Sequence, residues 1–208
     1  MNGKELKKIL KNFEVPFKIP KDVKKIIKKY YPEDSEAYPF FFIHSVRVTE
    51  LALRIYKHNK HLKLDKKFIL KGALLHDIGI IKTRAPEIGC HGKYPYIAHS
   101  YLGREILEKN GLKDIAPVCE RHVGVGLSKK DIIKYKMPLP HRDMLPVSYE
   151  EKIICYADKF YSKSENHLLV PKPVEKIRKK ISKYGKDKLE RFDGFVELFG
   201  IDYVYDKA

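Results

Sequence analysis

The stretch Ala73-Leu74-Leu75-His76-Asp77-Ile78-Gly79 decides how this chain is read. An apolar run ends abruptly in a histidine and an aspartate, and a glycine follows two residues later. Burying such a pair at the end of an apolar helix is costly unless something satisfies it. A divalent metal satisfies both members at once. Imidazole is a borderline ligand and carboxylate a hard one, a mixture that suits Zn, Fe, Mn or Co. Other segments are then expected to bring further ligands to this pair.

Just upstream, Asp65 is a plausible N-cap for a helix running through Phe68, Ile69, Ala73 and Leu75, and Gly79 breaks it. Before that, residues 36–59 form the longest periodic stretch. Phe40, Ile43, Val46, Val48, Leu51, Leu53 and Ile55 make its helix apolar on more than one side, hence central. His44 sits within it, while His58 and His61 lie at its polar end and are expected to face solvent. Two basic amphipathic segments precede it, Glu5 to Phe13 and Pro20 to Tyr31, the second bracketed by Pro20 and Pro32.

Downstream, residues 80–98 read as a long loop rich in Gly and Pro, and loops of that length are usually functional. His99 or Ser100 opens the next helix, which Asn110-Gly111 stops. Leu112 to Val123 reads as one further helix. Ser128 with Asp131 resembles a capping box with a shortened acid, and Ser148 with Glu151 is the full S-x-x-E form. Between them Pro138, Pro140 and Pro146 stiffen a loop holding His141, Arg142 and Asp143. The tail from Pro171 carries two basic helical patterns separated near Gly185. Strand signals are weak throughout, so the expected fold class is all-α.

At 208 residues the chain suits one domain with a full-sized core. No stretch approaches the roughly 20 apolar residues of a membrane span, and the N-terminus lacks the apolar core of a signal peptide, so a cytoplasmic protein without membrane association is expected. Cys90, Cys119 and Cys155 are odd in number and lack C-x-x-C spacing, which argues against a disulfide framework. Cys90, beside His91, is a weaker ligand candidate. Forty-three Lys and Arg against 27 Asp and Glu give a formal net charge of +16. Such a charge attracts anions, although lysine-rich surfaces are also common in hyperthermophile proteins.

Six groups of metal-ligand type fall on apolar helical segments or beside glycine at helix ends: His44, His76, Asp77, His99, His122 and Asp158. They come from five helices, and helical bundles build metal sites from such inward-facing side chains. His44, then His76-Asp77, then Asp158 resembles the H…HD…D signature of the HD superfamily of metal-dependent phosphohydrolases. The string Leu-Leu-His-Asp-Ile-Gly is similar to its HDIG form. The stretch Pro140 to Pro146, with Glu151-Lys152 and Ala157-Asp158, resembles a prokaryotic branch of that family. The likeness covers roughly residues 40–165.

The resemblance implies an all-α HD-domain bundle with a buried metal site. A single domain over 1–208 would have N-terminal helices at 1–35, the HD core at 36–165 and C-terminal helices at 166–208. His44, His76, Asp77 and Asp158 map onto the family's first-metal ligands, and His99 and His122 sit where two-metal members place theirs. Two divalent ions are expected, from among Fe, Mn, Zn, Co and Ni, with Asp77 as the bridging and catalytic group. The implied reaction is hydrolysis of a phosphate mono- or cyclic diester of a small molecule such as a nucleotide, through a metal-activated hydroxide. Candidate cations for the substrate's phosphate are Lys82, Arg84, Arg121, His141, Arg142 and Lys159.

Cyclic-dinucleotide phosphodiesterases of the superfamily carry lysine directly after HDIG and a Gly-Tyr-Pro motif. Here Ile80 follows HDIG, Lys82 comes two later, and the nearest tripeptide is Lys93-Tyr94-Pro95, which weighs against that subgroup. Two other readings compete. The basic tail Lys172 to Lys183 and the basic N-terminal helices favour a nucleic-acid-binding or RNA-processing protein, but those segments lack interleaved aromatics. A di-iron oxygenase on the same fold is the other. Oligomeric state is left open.

Overall fold

The computed structural model describes residues 3–163 and 165–205; the outermost positions of the expected domain span, 1–2 and 206–208, lie outside the described residues. Ten helices are described: α1 (Gly3–Lys11), α2 (Lys21–Tyr30), α3 (Ala37–His58), α4 (Lys66–Leu75), α5 (His99–Lys109), α6 (Pro117–Arg121), α7 (Lys129–Lys134), α8 (Tyr149–Phe160), α9 (Val174–Ser182) and α10 (Lys186–Phe199). The fold is all-α, as the periodicity predicts.

The 22-residue α3 is the axis, packed by α1, α4 and α8. Most of its residues up to Ile55 are buried, among them Phe41, which stacks on Tyr31 at 4.0 Å. Asn59 ends it, donating from Nδ2 to the carbonyls of Ile55 (3.0 Å) and Phe199 (3.2 Å) and so tying α3 to α10. On α8, Tyr156 meets Phe192, Phe195 and Phe199 of α10 at 5.8, 6.4 and 5.9 Å. Aromatic pairs of this kind add about 1 kcal/mol each beyond the area they bury. Arg178 Nε to Asp193 Oδ1 (2.7 Å) pins α9 to α10. One apolar cluster runs through these helices from Leu6 to Val204.

Asp65 caps α4 as expected, accepting from the amides of Lys67 (2.8 Å) and Phe68 (3.1 Å). The helix ends at Leu75 and a 3-10 turn, Ile78–Lys82, takes the chain away. Gly79 is required here by contact. A Cβ on it would stand 2.1 Å from the His99 carbonyl oxygen and 2.4 Å from the Gly103 amide. The bare glycine therefore lets α5 press against this turn, and His99 opens α5.

Three local expectations change. The loop 80–98 carries short structure, with an antiparallel pair Arg84–Ala85 and Cys90–His91 and 3-10 turns at Pro86–Ile88 and Tyr96–Ala98. Residues 112–123 are not one helix, because Pro117 has no amide to continue a ladder, and only α6 from Pro117 onward is helical. The two caps exchange roles. Ser128 and Asp131 form the reciprocal box, whereas Glu151 accepts from the Val147 amide (2.6 Å) rather than from Ser148.

His58 and His61 are exposed as expected, His58 stacking on Tyr203 at 4.3 Å. All three cysteines are buried free thiols, and Cys90 packs in the core and belongs to neither group of candidate ligands. His91 is exposed and lies 3.3 Å from Glu36. Among the described residues no helix is long and apolar enough to cross a membrane.

Candidate metal centre

Five helical segments deliver the six candidate ligands to one place. His44 comes from the middle of α3, His76 and Asp77 from the end of α4, His99 from the start of α5, His122 from the end of α6 and Asp158 from α8. They form two groups, His44, His76, Asp77 and Asp158, and Asp77, His99 and His122. Within each group the ligand atoms lie within 4.8 Å of one another.

Asp77 belongs to both groups through different oxygens. Its Oδ2 lies 3.2 Å from His44 Nε2 and 3.1 Å from His76 Nε2. Its Oδ1 lies 3.4 Å from His99 Nε2 and 3.3 Å from His122 Nε2. Asp158 Oδ1 closes the first group, 3.1 Å from His44 Nε2 and 3.5 Å from His76 Nε2.

The outer ring nitrogens set the chemistry of the inner ones. His76, His99 and His122 donate from Nδ1 to the carbonyls of Ala73 (2.7 Å), Tyr96 (2.6 Å) and Val118 (3.2 Å). A neutral imidazole that donates at Nδ1 presents a lone pair at Nε2. The Nε2 atoms of the four rings crowd together, 3.3 Å between His44 and His76 and 3.3 Å between His99 and His122, while His44 Nδ1 is buried without a hydrogen-bond partner. The His99 and His122 lone pairs facing one another in a buried site are unfavourable, and divalent cations in this cluster relieve both that repulsion and the burial of two carboxylates. The donor set therefore fits divalent metal binding.

Electrostatics follow the same division. Burial depresses His44, His122 and His99, the last to about 4. Burial opposes charge on His76 too, but Asp77 and Asp158 outweigh it and raise that ring to about 9. Burial likewise works against the two carboxylates. It is outweighed at Asp77 by Lys163 and His76 and at Asp158 by Lys159 and hydrogen bonds from His44 and His76, and both remain well below the usual carboxylate range.

Of the six cations expected at the substrate, only Lys159 lines the cleft over this centre. Its ammonium lies 2.8 Å from Asp158 Oδ2 and donates to the His122 carbonyl at 3.0 Å. Arg121 is turned to Glu151, 2.7 Å away. Arg142 bonds Glu120, a buried carboxylate also held by Arg104 at 2.7 Å. These two arginines brace the bundle because buried acids need them. Lys82, Arg84 and His141 lie outside the cleft lining, Arg84 and His141 exposed on their loops.

A residue that the motif reading passed over sits at the centre. Lys163 donates to Asp77 Oδ2 and is itself largely buried. The chain turns extended at Tyr161 (φ −113°, ψ 163°), directly after α8, and this swings Lys163 back over the site. No helical period predicts that return. The cleft above has a volume of about 1150 Å³. Tyr96 also lines it, its phenol pushed up to about 12 chiefly by burial.

The profile of the HD domain matches residues 41–162, more than half of the chain. An uncharacterised protein of Methanocaldococcus jannaschii is 40% identical over 110 residues, covering 52% of this chain and 56% of that protein. A tRNA (cytidine(56)-2′-O)-methyltransferase of Picrophilus torridus is 31% identical over 171 residues, covering 77% of this chain and 45% of the enzyme. The same enzyme of Thermoplasma volcanium is 30% identical over 138 residues, covering 66% and 36%. The chain thus spans between about a third and just over half of these relatives' lengths. In architecture it is similar to the HD domain of the L. monocytogenes phosphodiesterase PgpH, with a TM-score of 0.50 at 21% identity over 88% of this chain and 90% of that one.

Proposed function

The chain belongs to the HD family of metal-dependent phosphohydrolases, and from that premise we propose that it hydrolyses a phosphate ester, mono- or cyclic diester, of a nucleotide-like molecule. The observation that carries this reading is the division of Asp77, with one oxygen among His44 and His76 and the other among His99 and His122. That division supports two divalent ions, from among Fe, Mn, Zn, Co and Ni, with Asp77 shared between them. Bound there, the ions would supply positive charge to phosphoryl oxygens and acidify a water molecule.

The chain's own residues do the rest. Asp77 is the catalytic residue, held ionised at the centre and placed to orient the attacking water. Asp158 is steadied by Lys159, so that Oδ1 stays turned to the two histidines while Oδ2 faces the ammonium. Lys163 presents a buried cation beside Asp77, suited to a non-bridging phosphate oxygen. Tyr96 keeps its proton through the physiological range and can donate a hydrogen bond to a substrate oxygen. We treat the chain as one HD domain dressed by its terminal helices, and its free thiols support a reducing, cytoplasmic setting.

A second reading, RNA processing, is favoured by relatives named as tRNA methyltransferases, one of which matches 77% of this chain. The test is metal analysis of the purified protein followed by a hydrolysis screen that reads inorganic phosphate from nucleotide monoesters and new phosphomonoester groups from cyclic phosphates and short RNAs. Hydrolysis of at least one phosphate ester is expected. A metal-loaded protein inert toward all of them would sink the proposal, and oxygen uptake by the iron-loaded form would replace it with the oxygenase reading.

A further inference from the structure

The wall of the cleft carries a charge pattern that a single phosphate does not use. Lys176 and Lys180 of α9 and Lys183 at its C-terminal end all line the cleft. Their spacing, i, i+4 and i+7, is that of one helix face and spans about 10 Å along the axis. Ile177 and Ile181 are buried beside them and hold α9 in place. Lys172, just before the helix, donates to the carbonyls of Lys159 (3.2 Å) and Tyr161 (2.6 Å). Its pKa is lowered to about 8 by burial and by the neighbouring Lys159, Lys180 and Lys163.

Acidic partners do not cancel this row. Among the described residues Lys180 and Lys183 have no ion pair, whereas Lys188 on the same cleft pairs with Asp131 and Asp187. Like charges converging on a concave wall repel one another, and a bound polyanion relieves them. The tail's sequence lacks aromatic residues between its lysines, but folding brings them in. Tyr135, at the end of α7, and Tyr184, just past α9, line the same cleft with 51% and 62% of their surface exposed. Exposed aromatic faces beside a cationic groove are what single-stranded nucleic acid uses, one base stacking on each. The cleft's 1150 Å³ also exceeds the roughly 300–1,000 Å³ of ordinary small-molecule sites.

We propose that this cleft binds a short single-stranded oligonucleotide, with one phosphodiester at the metal centre, the following phosphates along Lys176, Lys180 and Lys183, and bases against Tyr135 and Tyr184. The position of the scissile phosphate rests on the hydrolase reading; the binding does not. In the reaction a water oxygen bonds to phosphorus and the phosphorus–oxygen bond to one sugar breaks. The departing sugar oxygen takes up a proton, leaving an alcohol and a terminal phosphomonoester.

The test is fluorescence anisotropy of a labelled five-nucleotide single-stranded RNA on the full chain, with chelator present to keep the RNA intact. The double variant Lys180→Ala, Lys183→Ala is expected to bind about tenfold more weakly. Its slope of log affinity against log salt should flatten by about 1.4, two contacts at roughly 0.7 each. The double variant Lys179→Ala, Lys186→Ala, outside the cleft, should change affinity less than twofold. Equal affinities for the two variants, or a mononucleotide that competes as well as the five-nucleotide RNA, would overturn the inference. Specific RNA binding by a metal-loaded protein that hydrolyses no phosphate mono- or diester would uphold it and remove the hydrolase reading. Hydrolysis of small esters without any advantage for the oligonucleotide would do the reverse.

Discussion

Asp77 is one carboxylate serving two groups of histidines, so nothing nearby can substitute for it. The variant Asp77→Ala is expected to lose activity by at least about 10³-fold and to bind fewer than two ions. His99→Ala and His122→Ala should each lower metal content from two ions per chain toward one, read by elemental analysis; content that stays at two refutes the dinuclear assignment. A different carboxylate bears on stability. Asp131, N3 of the α7 capping box, accepts from the Ser128 hydroxyl (2.6 Å) and pairs with Lys188. Burial would raise its pKa, but Lys188 and Ser128 outweigh burial and lower it to about 2. A depressed folded-state pKa means stability that is present in full above the ordinary value of 3.8 and lost as pH falls toward 2. Asp131→Asn should therefore cost about 2 kcal/mol at pH 7, with the difference from the parent shrinking below pH 4 in urea titrations. A gap that persists unchanged at pH 2 would refute this.

Between elements, the turn after α4 and the start of α5 meet through Gly79 with no room for a methyl group. Gly79→Ala must push α5 away or distort its first turn, and His99 moves with it. The expected cost is about 3 kcal/mol or more, with weakened metal binding, measured by thermal unfolding and metal titration. A stable Gly79→Ala protein with full metal content would show that this contact does not position His99. The link of Arg142 to Glu120 belongs to the same scale. Arg142→Ala should lower stability by about 1–3 kcal/mol through the buried acid it leaves held by Arg104 alone, without altering metal content. A change in metal content with no loss of stability would return Arg142 to the site.

For the whole molecule, the candidate metal centre would act as a clasp. Its six candidate ligands come from α3, α4, α5, α6 and α8, so ions bound there would join five elements at once. Ligands that bind only the folded chain raise its stability by about 4 kcal/mol at a thousandfold excess over Kd. Thermal midpoints should accordingly rise with added Mn, Fe or Zn and fall with chelator. A midpoint indifferent to both would mean that the six groups do not act together as a binding site.

Much of this was legible in the sequence. Helix period and caps located α2, α3, α4, α5 and α8, because apolar faces and cap residues are local properties of the chain. The six candidate ligands were also legible, since histidine and aspartate on apolar segments need a partner whatever surrounds them. Local pattern could not say which oxygen of Asp77 faces which histidines, because that depends on how closely Gly79 lets α5 approach. It could not place Lys163, which returns to the centre through an extended turn with no period. Nor could it separate the arginines that brace buried acids from the lysines that line the cleft, since both look alike in a basic sequence. Tyr184 follows Lys183 directly in the chain, but Tyr135 comes from a segment some 40 residues earlier, and only the tertiary fold brings it into the cleft that the lysine row lines.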